Sequence, residues 1–219
     1  MQLSCPECQA PCEYEPVTVI TPETAAHDQL LRGELNRVQC PECETAILCD
    51  TPVLFRDDVQ KQLIYYIPAQ DCPDIHTACE QMQRIVDEVF AEVHPQEQHD
   101  CRLVTAYTEF IEKIGILNAG YNDLLIEYVK YRLFQHNPGI SFAEHELLYD
   151  FASDAPDTIV FQVFEREAHK HVYTLQVERQ DYLDVEQNYL TNEDAHDELH
   201  DIFPPYRIHV DEIFAKLEG

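Results

Sequence analysis

A short cysteine motif occurs twice near the start of this 219-residue chain, and it constrains the fold more than any other feature. The two copies are Cys5-Pro6-Glu7-Cys8 and Cys40-Pro41-Glu42-Cys43. Two residues between paired cysteines let both sulfur atoms reach one tetrahedral Zn²⁺ at about 2.3 Å. Proline at the second position fixes φ and favours the tight turn before a metal binds. The duplication therefore predicts one structural Zn²⁺ per chain, with the ligands Cys5, Cys8, Cys40 and Cys43.

A redox function is the main alternative for a Cys-x-x-Cys pair. Thioredoxin-like motifs normally lie in a βαβ unit and need no second copy along the chain. Nine cysteines, an odd number, and an N-terminus without a secretory signal predict a reducing compartment, hence the cytoplasm. Cys12 and Cys49 are either extra ligands, guards against oxidation or, as we favour, small packed side chains. The thiols with no partnered spacing, which permit a redox sensor, are Cys72, Cys79 and Cys101.

The charge of the chain limits its partners. There are 42 acidic and 14 basic residues, and the formal net charge is −28. Nucleic acids and acidic membrane surfaces require a Lys/Arg footprint, and no basic cluster occurs here, so both are excluded as partners. No stretch approaches the 18 apolar residues of a transmembrane helix. We expect a solvated acidic surface and, if a partner binds, a basic protein.

Residues 1–68 carry the signals of a zinc-ribbon β unit with one inserted helix. β-Branched and apolar runs predict strands at residues 14–20, 35–39 and 46–49, and a hairpin between residues 53–55 and 63–67. Thr21 is expected to cap the inserted helix, with Pro22 at its first position and Gly33 after its end.

Residues 69–136 have the periodicity of a helical region. Apolar residues three and four apart predict a helix over residues 73–94, which Pro95 ends. A second apolar face runs from Leu103 to Leu117, and Gly120 then either breaks or bends the helix. Asn122 is expected to cap a third helix that reaches about residue 135.

In residues 137–219 the spacing of the apolar residues changes back towards the two-residue period of β-strands. Residues 147–149, 159–164 and 172–177 predict a small antiparallel sheet, followed by helices at residues 182–189 and 210–217. The predicted fold class is therefore α+β: a zinc-ribbon β unit with an inserted helix, a helical middle and a C-terminal antiparallel sheet with helices.

Two histidines near the C-terminus have the spacing of a metal-binding helix. His196 and His200 are four residues apart in an acidic stretch. Metalloproteases place glutamate directly after the first histidine, but Asp197 stands there and Glu198 follows one residue later, so the general base is misplaced. A solvated acidic helix is the favoured interpretation, and a second metal site stays open.

The cysteine pairs, together with residues 49–55, 63–68, 112–116 and 122–130, resemble the bacterial CpXC domain family. The resemblance covers residues 1 to about 135. It implies a zinc-binding bacterial protein of undefined activity, with the same four cysteines as ligands. Gln9 and Glu44 stand where many zinc knuckles have glycine, so we expect the left-handed turn after each pair to be distorted or strained.

The sequence favours a non-catalytic function. It contains no Walker A loop, dinucleotide fingerprint or nucleophile elbow, and a zinc ion held by four thiolates has no open coordination position. We therefore predict a zinc-stabilised cytoplasmic adaptor or scaffold for a protein partner. The alternative is an enzyme or thiol redox sensor that uses the His196/His200 region or the spare cysteines.

Overall fold

The computed structural model describes residues 2–89 and 98–217, which form two compact units. One unit lies within Met1–Ala78 and Arg84–Ile111, and the other within Cys79–Gln83 and Glu112–Gly219. Each unit contains helices and strands, which confirms the predicted α+β class. The three-region division at residues 68 and 136 stays a prediction. Among the described residues, no helix is both long and apolar enough to cross a membrane.

The first unit is built from short strands. Its elements in chain order are β1 (Gln2–Ser4), β2 (Pro11–Glu13), β3 (Val19–Ile20), α1 (Ala25–Leu31), β4 (Arg37–Gln39), β5 (Ala46–Leu48), β6 (Val53–Asp57), β7 (Gln62–Tyr66), a 3-10 turn (Ala69–Asp71), and β8 (Asp100–Val104). Helix α2 (Ile75–Val89) precedes β8, and the two units divide it between them.

Three sheets organise these strands. β1 pairs antiparallel with β2, and β4 pairs antiparallel with β5. The largest sheet has the order β3-β6-β7-β8, in which β6 and β7 form the predicted antiparallel hairpin and the outer strands run parallel to their neighbours. Buried side chains of the first unit include Ile20, Leu30, Leu35, Val53, Phe55, Ile64, Tyr66, Leu103 and Phe110.

The start of α1 differs from the prediction. Thr24, not Thr21, is the N-cap, and its side-chain oxygen accepts a hydrogen bond from the His27 backbone N–H at 3.2 Å. Glu23 has a left-handed φ of 60°, which a right-handed helix cannot contain, so the helix begins only after it. Pro22 therefore lies outside the helix.

One strand prediction and one helix prediction also need correction. Only Val19 and Ile20 of residues 14–20 pair as a strand, because the Asn36 side chain binds both the N–H and the C=O of Val17, at 2.8 and 2.9 Å. Leu103, expected on a helix, lies in β8 opposite Tyr65 of β7. Backbone hydrogen bonds with the edge of β7 stabilise a strand here, although the spacing of the apolar residues is typical of a helix. The predicted helix end at residue 94 lies outside the described residues.

The second unit combines helices with one sheet. Its elements are the C-terminal part of α3 (Tyr107–Asn118), α4 (Asp123–His136), β9 (His145–Tyr149), β10 (Thr158–Glu165), β11 (Lys170–Glu178), α5 (Arg179–Thr191), α6 (Glu193–Ile202) and α7 (Val210–Leu217). The sheet has the antiparallel order β11-β10-β9, as predicted. Gly120 has a left-handed φ of 77°. It therefore interrupts the helical conformation between α3 and α4, and the two are separate helices rather than one bent helix. Asn122 caps α4 by accepting from the Leu124 N–H at 2.9 Å, which confirms that prediction.

Charged side chains are buried inside the second unit. Lys130 Nζ lies 2.7 Å from Glu112 Oε1 and 3.1 Å from Glu127 Oε1. Lys113 Nζ lies 3.0 Å from Glu127 Oε1 and 3.5 Å from Asp123 Oδ2. We call these five residues the buried ion network. Charges so far from water are tolerated only when each has opposite charges and hydrogen bonds around it.

The buried ion network also binds the backbone of neighbouring elements. The Tyr149 N–H of β9 donates to Glu112 Oε1, and the Val210 N–H of α7 donates to Glu127 Oε2. Burial raises the pKa of Glu112. Burial alone would also raise the pKa of Glu127, but the ammonium groups of Lys113 and Lys130 outweigh it and hold that pKa well below its usual range. The network thus joins α3, α4, β9 and α7.

We predict that Lys130→Met lowers the free energy of unfolding by about 3–5 kcal/mol, because Glu112 and Glu127 keep buried charge without their shared cation. Urea denaturation followed by circular dichroism measures this change. The matched control is Arg132→Met on the exposed face of α4, which should change the free energy of unfolding by no more than about 0.5 kcal/mol. Equal effects of the two substitutions would show that the network contributes little.

Candidate metal centre

The two cysteine motifs lie in two hairpins of the same construction. In each, a three-residue strand leads into Cys-Pro-Glu-Cys and a three-residue strand leads out, as β1 and β2 in one hairpin and β4 and β5 in the other. Each residue of the first hairpin corresponds to the residue 35 positions later, since 40 − 5 and 43 − 8 both equal 35. The strand pairing repeats in the same way, with Gln2 opposite Glu13 and Arg37 opposite Leu48.

The backbone hydrogen bonds of the two turns are also alike. The Cys5 N–H donates to the Ala10 carbonyl, and the Cys40 N–H donates to the Thr45 carbonyl, both at 2.9 Å. The residue after each motif closes a second bond of 2.9 Å back to the first cysteine. A single turn geometry therefore presents both sulfur pairs.

The residues after the motifs adopt the left-handed conformation without being glycine. Gln9 has a φ of 61° and Glu44 a φ of 60°. The expected distortion is not seen, because both residues keep the turn that glycine usually makes. The expected strain applies, since a side chain costs roughly 1–2 kcal/mol in this region. Hydrogen bonds of the turn and bonds to a metal are the forces available to offset that cost.

The four sulfur atoms of the motifs come together. All lie within 4.8 Å of one another, with Cys5 and Cys43 separated by 3.5 Å and Cys8 and Cys40 by 3.4 Å. Ligands at about 2.3 Å from a tetrahedral ion are about 3.8 Å apart, whereas a disulfide holds its sulfurs at about 2.05 Å. The cysteines are free thiols, and the spacing of these four sulfurs fits one four-coordinate metal ion.

The local electrostatics favour the thiolate form at Cys40 and Cys43, but not at Cys8. The Ala10 backbone lowers the pKa of Cys8, but hydrogen bonds with the neighbouring thiols and burial outweigh this effect and raise that pKa well above its usual value. The Glu42 backbone N–H donates to the Cys40 sulfur and lowers the pKa of that thiol to about 6. The Thr45 hydroxyl lies 3.2 Å from the Cys43 sulfur and lowers the pKa of Cys43. The second motif thus favours the charged form of Cys40 and Cys43, and sequence patterns gave no indication of the contribution of Thr45.

The two cysteines of each motif differ in burial, and the difference is the same in both motifs. The first cysteine of each motif is buried and the second is exposed. Apolar residues packed around the buried sulfurs are Leu3, Ala10, Val38 and Ile47. A metal held here would face the protein on one side and the solvent on the other.

The remaining cysteines lie outside the four-sulfur group. Cys12 is buried beside Cys5 and Cys40, at the position that Ile47 occupies in the other hairpin, which supports a packing function. Burial raises the pKa of Cys12 and of Cys49, and raises that of Cys101 to about 11. High thiol pKa values make these three poor nucleophiles. Cys72 is half-buried, and Cys79 is buried.

The structure brings the two predicted histidines together on α6. The rings of His196 and His200 are 4.4 Å apart, and the Tyr189 hydroxyl lies 2.8 Å from His200 Nε2. Within residues 2–89 and 98–217, the only group of three or more potential ligands close enough to share one ion is that of the four cysteines. Among the residues that the structure describes, the histidine pair therefore has no third ligand close enough to complete a metal site.

A comparison with protein families matches residues 3–130 to the model of the CpXC protein family. The matched span contains both Cys-Pro-Glu-Cys motifs and all five residues of the buried ion network. Comparisons with curated proteins and with solved structures gave no match. Since the family match covers more than half of the 219 residues and includes the four cysteines, the chain belongs to the CpXC family.

Proposed function

We propose that the four cysteines bind one structural Zn²⁺ and that the protein is a non-catalytic, cytoplasmic adaptor for a protein partner. The observation that carries the proposal is the mutual closeness of four thiol sulfurs, in a geometry that fits a tetrahedral ion. Soft thiolate donors select Zn²⁺ over the hard cations Mg²⁺ and Ca²⁺. The free thiols and the expected reducing compartment agree with a cytoplasmic location.

The donor set supports a structural function for the metal. Four thiolates complete a tetrahedral shell and leave no position for the water that a catalytic zinc activates. The hairpins that supply the ligands have strands of only three residues, and isolated hairpins of this size are marginal in water. Structural zinc in finger peptides contributes about 10–16 kcal/mol in apparent terms, which is ample to hold them together.

Two features support the adaptor over the alternative functions. Burial raises the pKa values of Cys49 and Cys101, which disfavours a redox sensor at these thiols, and the histidine pair lacks a third ligand among the described residues. The second unit carries an open cleft of about 720 Å³ with aromatic and aliphatic walls, which suits the binding of apolar side chains.

Zinc content is the first test. Cys40→Ala should reduce the zinc bound by purified protein from about one ion per chain to a small fraction, because one of four ligands is lost. Cys12→Ala removes an equally buried thiol from the same cluster and should leave the zinc content unchanged. Elemental analysis measures both. Loss of zinc in both variants would make Cys12 a ligand, and loss in neither would remove the proposed site.

Removal of the metal is the second test. We expect a strong chelator to abolish amide protection in residues 2–13 and 37–48, since the short hairpins lose their common anchor. Residues 123–136 should stay protected, because α4 packs in the separate core of the second unit. Hydrogen exchange with mass spectrometry reads both regions in one experiment. Unchanged protection of the hairpins after confirmed zinc loss would contradict a structural function.

The adaptor function is tested by affinity capture from native cells with quantitative mass spectrometry. We expect one protein to co-purify in an amount comparable to the bait. An unrelated bait of similar negative charge is the control, because an acidic surface alone captures basic proteins. Failure to enrich any protein above that control would contradict the adaptor.

A further inference from the structure

An open cleft separates four helices of the second unit. It has a volume of about 720 Å³, within the range of ligand-binding pockets. α4, α5, α6 and α7 each contribute to its walls. Its apolar and aromatic lining includes Tyr128, Tyr131, Val185, Tyr189, Leu199 and Ile202.

The apolar lining extends to the surface of the molecule. Leu217 of α7 lines the cleft with 54% of its surface exposed, and the three tyrosines are half-buried. Tyr189 is held by its hydroxyl, 2.8 Å from His200 Nε2, and by stacking on His196 at 4.9 Å between ring centroids. The histidine pair thus fixes a wall of the cleft, which is an assignment for these residues that needs no metal.

The rim of the cleft is acidic. Asp184, Glu198 and Asp201 line it with exposed side chains. Two cations, Arg132 and Lys216, also line it, and Lys216 Nζ donates to the Asp201 carbonyl. Besides the two histidines of α6, the helices α5 and α6 together contain a single Lys or Arg residue, Arg179, and eight acidic ones: Asp181, Asp184, Glu186, Glu193, Asp194, Asp197, Glu198 and Asp201.

We propose that this cleft binds a cationic amphipathic helix of a partner protein. Apolar side chains on one face of such a helix would enter the cleft, and its Lys or Arg residues would face the rim carboxylates of Asp184, Glu198 and Asp201. A second copy of this chain is disfavoured as occupant, because two chains of net charge −28 repel each other. The inference rests on the proposed adaptor function and specifies its binding surface and the chemistry of its partner.

The test uses the full-length, zinc-loaded protein and two labelled peptides of equal length. One has Leu at positions i, i+3, i+4 and i+7 with Lys elsewhere, and the other has Glu in place of each Lys. In fluorescence anisotropy we expect the Lys peptide to bind, with affinity falling as salt is raised, and the Glu peptide not to bind. Equal binding of both peptides, or of neither, would overturn the proposal.

Two pairs of variants locate the binding site. Glu198→Lys reverses a charge on the rim, and Asp197→Lys makes the same change on the adjacent residue of α6, which does not line the cleft. Leu217→Ser removes an exposed apolar side chain from the cleft. Leu183→Ser removes an apolar side chain that is 42% exposed and does not line the cleft. We expect the cleft variants to weaken binding about fivefold or more, and the controls to change it by less than about twofold.

The outcomes separate this inference from the adaptor proposal. If each cleft variant and its control weaken the Lys peptide equally, while circular dichroism and zinc content are unchanged, the contact is general acidity and the cleft is not the site. Concentration-dependent dimers that Glu198→Lys abolishes would identify a second copy as the occupant and overturn the proposal. A native partner whose capture is unaffected by Glu198→Lys would also overturn it, and the adaptor proposal would stand.

Discussion

The close approach of four sulfur atoms is the constraint on which the two cysteine hairpins of the first unit depend. Strands of three residues form too few hydrogen bonds to fix the position of β1–β2 relative to β4–β5. Four thiols within 4.8 Å also repel one another once ionised, so the arrangement favours a cation at its centre. The left-handed backbone conformations of Gln9 and Glu44 further destabilise the two turns. In this interpretation the metal compensates for a core that the hairpins themselves do not possess.

The sequence predicted features that depend on local chemistry. The cysteine pairs, the cap at Asn122, the sheet of the second unit and the helix at residues 210–217 follow from residue type and period, and the structure has them. The failures occur where distant or unusual backbone geometry decides. Because Glu23 has a left-handed φ, α1 begins after the predicted position. Leu103 lies in a strand because its backbone pairs with β7. The spacing of apolar residues within one segment predicts neither the backbone conformation of Glu23 nor the pairing of Leu103 with a distant strand.

The buried ion network was missed because charged residues on a helix normally predict a solvated face. Glu112 and Lys113 interrupt the apolar stripe of α3, and Glu127 and Lys130 stand three residues apart within an otherwise apolar part of α4. That last pattern was the available signal: a helix that is apolar all round has no solvated side, so its charges must meet one another. The network contacts four elements at once, because its side chains on α3 and α4 also accept hydrogen bonds from backbone N–H groups of β9 and α7.

The correspondence of the two hairpins at an interval of 35 residues has a consequence for how the centre assembles. Each hairpin supplies one buried and one exposed sulfur, so two separate copies of either one contain every ligand that a tetrahedral ion requires. In separate molecules, that assembly would depend on concentration. The chain that joins Cys8 to Cys40 would make the second capture intramolecular, so it would not depend on the protein concentration. In the proposed metal-bound form, the residues between the motifs would close a chelate ring, and the centre would fill at metal and protein concentrations at which unlinked hairpins would remain apart.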